Sequence, residues 1–143
     1  MKLEDIQTSI SEDSNLDSTE LGKESLRIPN LISKYLNLRS KENILLKQLE
    51  SNQAIDFKKR WEFYLGKAPP KDYKDEPFDH KVLRSDIEIY LKADKVLQEW
   101  DNKILMQRSK IDIIDQFVKE LGQRGWNIKN SIEWIKLMNG GMV

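Results

Sequence analysis

The chain has 143 residues, of which 38% are hydrophobic and 34% charged, and its 24 basic and 24 acidic side chains cancel to a net charge of zero. That length argues for one structural domain, and a charged share above the about 25% of ordinary globular domains suits long helices sharing a narrow apolar seam rather than a compact sphere. With no cysteine and a single histidine, His80, disulfide frames, thiol nucleophiles, zinc clusters and the usual catalytic triads are excluded.

Leu3, Ile6 and Ile10 fall at helical spacing and predict a short amphipathic helix over residues 3–12, followed by the polar stretch Ser11–Asn15. Asp17 and Ser18 are good N-caps with Glu20 in the first turn, so a second helix is expected to start there. Pro29 predicts a kink near Arg27–Asn30, because proline lacks the amide proton and crowds the carbonyl four residues back. From Leu31 to Leu65 there is no Pro or Gly, and Leu31, Leu38 and Leu45 repeat at seven. One long helix, or two nearly collinear ones parted at Arg39–Lys41, fits that stretch. Gly66, Pro69, Pro70 and Pro77 close it and predict a polar loop over residues 67–80. Beyond it Leu83, Tyr90, Leu97, Ile104, Ile111 and Val118 recur every seven residues, with Ala93, Trp100, Gln107, Ile114 and Leu121 as their partners. A repeat sustained that far predicts a coiled-coil or helical-hairpin seam. Gly122 and Gly125 are expected to end it. A last helix would open at Asn127, carry Ile128, Ile132, Ile135 and Met138 on one side with Trp134 beside them, and stop at Gly140-Gly141. The expected organisation is an N-terminal helical region, 1–80, and a C-terminal oligomerisation region, 81–143, within one structural domain. The fold class is mainly α: an elongated helical hairpin or coiled-coil-like subunit that self-associates through Leu97, Ile104, Ile111, Ile114, Val118, Ile128, Ile132 and Ile135.

Charge alternates in sign along the chain. Residues 1–20 carry a net −5 and the remainder +5; residues 57–67 reach +3, and residues 68–80 swing back to −2. Such zones meet each other across subunits or face a polyanion. Gly66-Lys67 is a fragment of a phosphate loop without its earlier Gly or following Ser/Thr, so nucleotide hydrolysis is not expected. Asp86 and Glu88 stand two apart and point to different helix faces, and His80 has no nucleophile partner. No catalytic residue, metal or cofactor is expected. No run nears the ~18 apolar residues of a membrane span and no apolar signal segment opens the chain, so a soluble protein of a reducing cytosol with no membrane partner is expected.

The basic segment is more informative. Phe57, Trp61, Tyr64 and Leu65 share one helical stripe and are expected in the core, whereas Phe63 lies off it, three or four residues from Lys59, Arg60 and Lys67. An exposed aromatic among cations is a small single-strand platform on which bases stack while the cations neutralise phosphates. The other reading of the same pattern packs Phe63 against another helix or subunit and leaves the cations solvated.

Several stretches, in order and at matching spacing, resemble the UvsY family of recombination mediators of T-even-like bacteriophages: Leu3-Glu4-Asp5-Ile6-Gln7, Asp17-Ser18-Thr19, Ser33-Lys34-Tyr35-Leu36-Asn37, Lys58 to Lys67, Ala93-Asp94-Lys95-Val96-Leu97 and Arg124-Gly125-Trp126-Asn127-Ile128-Lys129. The resemblance implies a non-enzymatic homo-oligomer, a ring of six or seven subunits. It would bind single-stranded DNA, a phage RecA-like recombinase and the phage single-strand-binding protein, in the cytoplasm of the infected bacterial host. It would load the recombinase onto covered strands. The family's DNA-binding positions carry over to Lys58 and Arg60, supported by Phe63, Tyr64 and Lys67, and Lys59 is expected to add charge to the same DNA-binding segment. Lys59, Trp61 and Pro69-Pro70 depart from the family pattern, and the family's C-terminal part carries self-association. Two competing readings are a helical scaffold or assembly chaperone that touches only protein, and a small nuclease, which lacks its metal constellation.

Overall fold

The computed structural model describes residues 1–140, and every regular element among them is a helix: α1 (Leu3–Asp13), α2 (Leu21–Tyr64), α3 (Pro70–Asp75), α4 (Ile87–Lys92) and α5 (Lys95–Met138). The fold is mainly α, as the apolar spacing predicts. Contacts divide the chain into two compact units, one of Met1–Asn43 with the chain from Arg108 onward, the other of Ile44–Gln107; α2 and α5 contribute to both.

In the first unit, the Lys2 amide donates to the Asp5 carboxylate at 3.2 Å at the start of α1, and Ile6 is wholly buried. Asp17 accepts from both the amide (2.9 Å) and the hydroxyl (2.6 Å) of Thr19. Its side chain is thus spent on a local turn, and α2 begins at Leu21 rather than at the expected Asp17–Ser18 cap. The helix then continues through both Pro29 and Arg39–Lys41. An interior proline costs about 3 kcal/mol, but Ile28, Leu31 and Tyr35 around it are buried at roughly 1.5–3 kcal/mol each. Arg39 is held by Asp115 of α5, Nε to Oδ1 at 2.5 Å. The core joins Ile6, Ile28, Leu31 and Tyr35 to Ile114, Phe117, Leu121 and Ile128. The Tyr35 ring meets Phe117 edge-on at 4.8 Å. Its hydroxyl donates to Asp13 at 2.7 Å and lies 2.9 Å from the Ser9 hydroxyl. Burial, together with the Asp13 charge, pushes the phenol pKa up to about 12.

Two boundaries differ from expectation here. α5 does not end at Gly122 or Gly125, and no separate helix opens at Asn127, because Gln107, Ile114, Leu121 and Ile128 continue one buried seven-residue row across both glycines. Each glycine costs about 1 kcal/mol against alanine, less than burying Ile128 gains. α5 stops at Met138, two residues before Gly140; Gly141 lies outside the described residues.

In the second unit, α2 closes where Gly66 predicts. Gly66 adopts φ +75°, its amide donates to the Phe63 carbonyl at 3.2 Å, and the Lys67 amide donates to the Glu62 carbonyl at 2.9 Å. This pair of bonds is a Schellman motif, which needs the left-handed residue that glycine supplies. The 67–80 segment is not all loop, because Pro69 and Pro70 preset the first turn of the short helix α3. The heptad row does not form one helix from Leu83 either. Leu83 is 67% exposed, α4 ends at Lys92, and α5 starts afresh at Lys95. Asp94 is the reason: its Oδ1 accepts the Leu97 amide at 3.0 Å, an N-cap. Ile87, Leu91 and Leu97 form the buried cluster, with Trp61, Tyr64, Leu65 and Val82 packed on it.

The expected self-association seam needs correction. Leu97, Ile104, Ile111, Ile114 and Ile128 are buried within the chain itself, and Val118 and Ile132 pack against the first unit's core. These side chains are consumed by intrachain packing. Of the set, Ile135 is half exposed, and it neighbours an open apolar group of Trp126, Trp134, Leu137 and Met138, each 61–67% exposed.

Candidate nucleic-acid interface

The last three turns of α2 carry every expected DNA-binding residue except Lys67, which follows the helix. A run of helix formers without Pro or Gly keeps Lys58, Lys59, Arg60, Phe63 and Tyr64 in helical register, and the Schellman turn sets Lys67 just past it. The structure sorts these residues into two sets. Lys58 is 78% exposed, with Glu62 at 3.8 Å as a loose neighbour. Lys59 and Lys67 are exposed, and the Lys67 ammonium lies 5.6 Å from the centre of the Trp61 ring. These three cations face solvent and can neutralise phosphates.

Arg60, Phe63 and Tyr64 form the other set, and here the exposed-platform expectation fails. Phe63 is only 3% exposed. Tyr73 of α3 stacks on it at 5.0 Å and 17°, Tyr64 meets it edge-on at 5.4 Å, and Phe78 tilts against it at 5.5 Å. The ring lies off the α2 stripe that meets the Leu97 cluster, as the spacing indicates, but the 67–80 segment folds back to cover it. Phe57, expected in the core, is 47% exposed.

Arg60 is the hub. Nε donates to Asp94 Oδ2 at 2.6 Å, Nη1 to Glu76 Oε2 at 2.7 Å and Nη2 to the Tyr64 hydroxyl at 3.2 Å. The guanidinium carbon lies 4.3 Å from the Phe63 ring centre and 5.1 Å from that of Tyr64. The Tyr64 hydroxyl donates in turn to Asp94 Oδ2 at 2.6 Å. Burial opposes ionisation of Asp94, but bonds from Tyr64, the Leu97 amide and Arg60 outweigh it and hold the carboxyl below its ordinary range. Burial, with the Asp94 charge, pushes the Tyr64 phenol up. Burial also works against the guanidinium, yet its bonds to Glu76, Tyr64 and Asp94 hold it firmly cationic. Beside this hub an open hollow of about 280 Å³ is lined by Asp56, Lys59, Arg60, Phe63, Asp72, Asp75, Glu76 and Val96.

The sequence reading missed Asp94, Glu76 and Tyr73 as parts of this site. For Asp94 the signal was available as an N-cap residue three positions before the buried Leu97. For Glu76 it was the acidic swing directly after the basic segment. Among the described residues no group of three or more His, Cys, Asp or Glu side chains is placed to hold a metal ion, and no helix is long and apolar enough to cross a membrane.

A family model described as the recombination, repair and single-stranded-DNA-binding protein UvsY matches residues 9–141. The recombination protein uvsY of Enterobacteria phage T4 is 25% identical over 130 residues, which is 91% of this chain and 92% of that protein. One crystal structure of the bacteriophage T4 recombination mediator protein UvsY superposes with a TM-score of 0.85 at 26% identity, covering 99% of both chains. A second crystal form gives 0.82 at 23% identity over 94% of this chain and 98% of the other.

Proposed function

This chain belongs to the UvsY family of recombination, repair and single-stranded-DNA-binding proteins, and we propose that within it the chain works as a recombination mediator. It binds single strands through Lys58, Lys59 and Lys67, with the Arg60, Phe63 and Tyr64 hub packed beside them at the end of α2. It loads a RecA-like recombinase onto strands covered by single-strand-binding protein, performs no catalysis of its own, and acts in the cytoplasm of the phage-infected host. The observation that carries this reading is the cluster of three solvent-facing cations around the end of α2 in a chain whose net charge is zero. A homo-oligomeric ring repeats that cluster once per subunit, so modest contacts add by avidity. The exposed Trp126, Trp134, Leu137 and Met138 supply an apolar face for the assembly.

A mediator that holds the strand in a shape the recombinase prefers lowers the cost of the first recombinase contacts by differential binding alone. The test is filament assembly on protein-covered single strands. The wild-type protein should shorten the lag, and Lys58→Ala with Lys59→Ala should restore it. Each phosphate that is no longer neutralised should flatten the slope of log K against log salt by about 0.7. An unchanged lag under conditions where the protein binds DNA removes the mediator reading, and no binding to oligonucleotide leaves the protein-only scaffold.

A further inference from the structure

Tyr73 and Glu76 place an aromatic ring and an anion together on the basic segment. The Tyr73 ring lies nearly parallel to Phe63, and the Glu76 carboxylate takes Arg60 Nη1 at 2.7 Å. A nucleotide presents the same two groups, a flat base and a phosphate, to a single-strand platform. Building on the single-strand-binding reading above, we propose that Phe63 and Arg60 form a one-nucleotide subsite which residues 68–76 occupy as an internal mimic, and that a strand enters by exchanging its base for Tyr73 and its phosphate for Glu76.

The covering segment is built to leave. α3 has six residues and none of them is buried, and a helix that short has little stability of its own. Phe78 anchors the segment's far end against Tyr64 at 5.3 Å and Tyr90 at 5.8 Å, but up to Glu76 the hold is slight: the Tyr73 hydroxyl donates to the Phe63 carbonyl at 2.8 Å and accepts from the Ala68 amide at 3.2 Å, and Glu76 is 56% exposed. Asp94, in contrast, is 3% exposed and fixed as the α5 cap, so Arg60 keeps one carboxylate and its orientation when Glu76 departs. The segment also carries a net −2 over residues 68–80, which offsets the +3 face when folded over it and releases that face when displaced. Apparent affinity for a strand is then the intrinsic affinity reduced by the fraction of molecules with the subsite open.

The test uses the full chain, a fluorescein-labelled oligothymidylate read by anisotropy, and hydrogen exchange over residues 68–76 with and without the oligonucleotide. Glu76→Gln removes the mimic's anion at an exposed position where folding is not at stake. Asp79→Asn removes the same charge from the same segment away from Arg60. Glu76→Gln should tighten binding about threefold to fivefold, the worth of one partly exposed ion pair, and Tyr73→Ala should act in the same direction. Asp79→Asn should change it less than about twofold, as a screened charge away from the guanidinium. The oligonucleotide should speed exchange at the Ala68 amide. Equal effects of Glu76→Gln and Asp79→Asn, or exchange that is unchanged or slowed in a wild-type complex, overturns the subsite and leaves single-strand binding standing. If neither wild type nor Glu76→Gln binds the oligonucleotide, both readings fall.

Discussion

Removing Arg60 separates its two roles. Arg60→Ala strips the guanidinium from Asp94, whose side chain is 1% exposed, while the arginine itself is 16% exposed. Deleting one partner of a fully buried ion pair costs about 3–5 kcal/mol, because the remaining charge is left uncompensated. Asp94 keeps its bonds from the Tyr64 hydroxyl and the Leu97 amide, which brings the cost towards the lower end. Removing the cation–π interactions with Phe63 and Tyr64 adds about 0.5–1 kcal/mol each, and the exposed Glu76 pair adds at most about 1. A net destabilisation of at least about 3 kcal/mol follows, which at a urea slope of about 1–3 kcal/mol per molar moves the midpoint down by roughly 1–3 M. Lys58→Ala, at a 78% exposed position, should stay within about 0.5 kcal/mol of the parent. Urea unfolding followed by circular dichroism at one fixed protein concentration makes the comparison, since self-association would otherwise enter the midpoint. Both variants should lose affinity for single strands, but only Arg60→Ala should also lose stability. An Arg60→Ala midpoint equal to the parent's, or a Lys58→Ala midpoint that falls as far, would refute the hub described for Arg60.

Trp134→Asp or Leu137→Asp should shift sedimentation towards smaller species while helicity is kept, whereas Ile114→Asp, at a wholly buried site, should unfold the first unit; the reverse pattern would return self-association to the buried row. Asp13 and Asp94 both have lowered carboxyl pKa values, so the stability they contribute is present above the ordinary carboxylate range and is lost as pH falls through the folded values. Asp94→Asn should therefore flatten the acid limb of a stability–pH curve, and an unaltered acid limb contradicts the assignment. Gly122→Ala meets nothing within 4 Å, and at Gly125 an added Cβ makes ordinary contact with Ile28 at 4.0 Å. Each should raise the thermal midpoint, by about 0.5–1 kcal/mol of stability, as an interior helix position does; a fall at either site means the helix there is strained.

The long-range periodicities were legible because burial rewards them: the rows Leu97–Ile104–Ile111 and Gln107–Ile114–Leu121 lie inside as the seven-residue spacing predicts. What they bury against was not legible. A seam repeated at seven reads the same whether its partner is another subunit or α2 of the same chain, and the structure spends it within the chain. Gly122 and Gly125 misled for a related reason, since a glycine's local cost is small beside a buried isoleucine further along. The basic segment is readable as charge, but the sequence leaves open whether Phe63 stacks a base or packs inside, because its cover, Tyr73 and Phe78, comes from a stretch that reads as linker. The helix break at Ala93 was written in Asp94, a capping residue hidden by the heptad passing over it.

The division of the chain has a consequence for the order in which it folds. The unit holding Arg60, Phe63, Tyr73, Glu76 and Asp94 is one continuous segment, Ile44–Gln107, whereas the other draws on the two stretches that flank it. Tyr35 and Phe117, in edge contact across the first unit, are 82 residues apart, while Tyr64 and Tyr90 in the second are separated by 26. Closing the longer loop from an open chain costs about 1 kcal/mol more by the logarithmic dependence on length, and contacts of greater sequence separation form more slowly. During synthesis, a ribosome that has released residues up to Gln107 has already delivered every side chain of the Arg60 network. None of the share that α5 gives to the Tyr35 core has emerged by then. The nucleic-acid face thus has all it needs to assemble first, and its completed fold shortens the loop the later core must close.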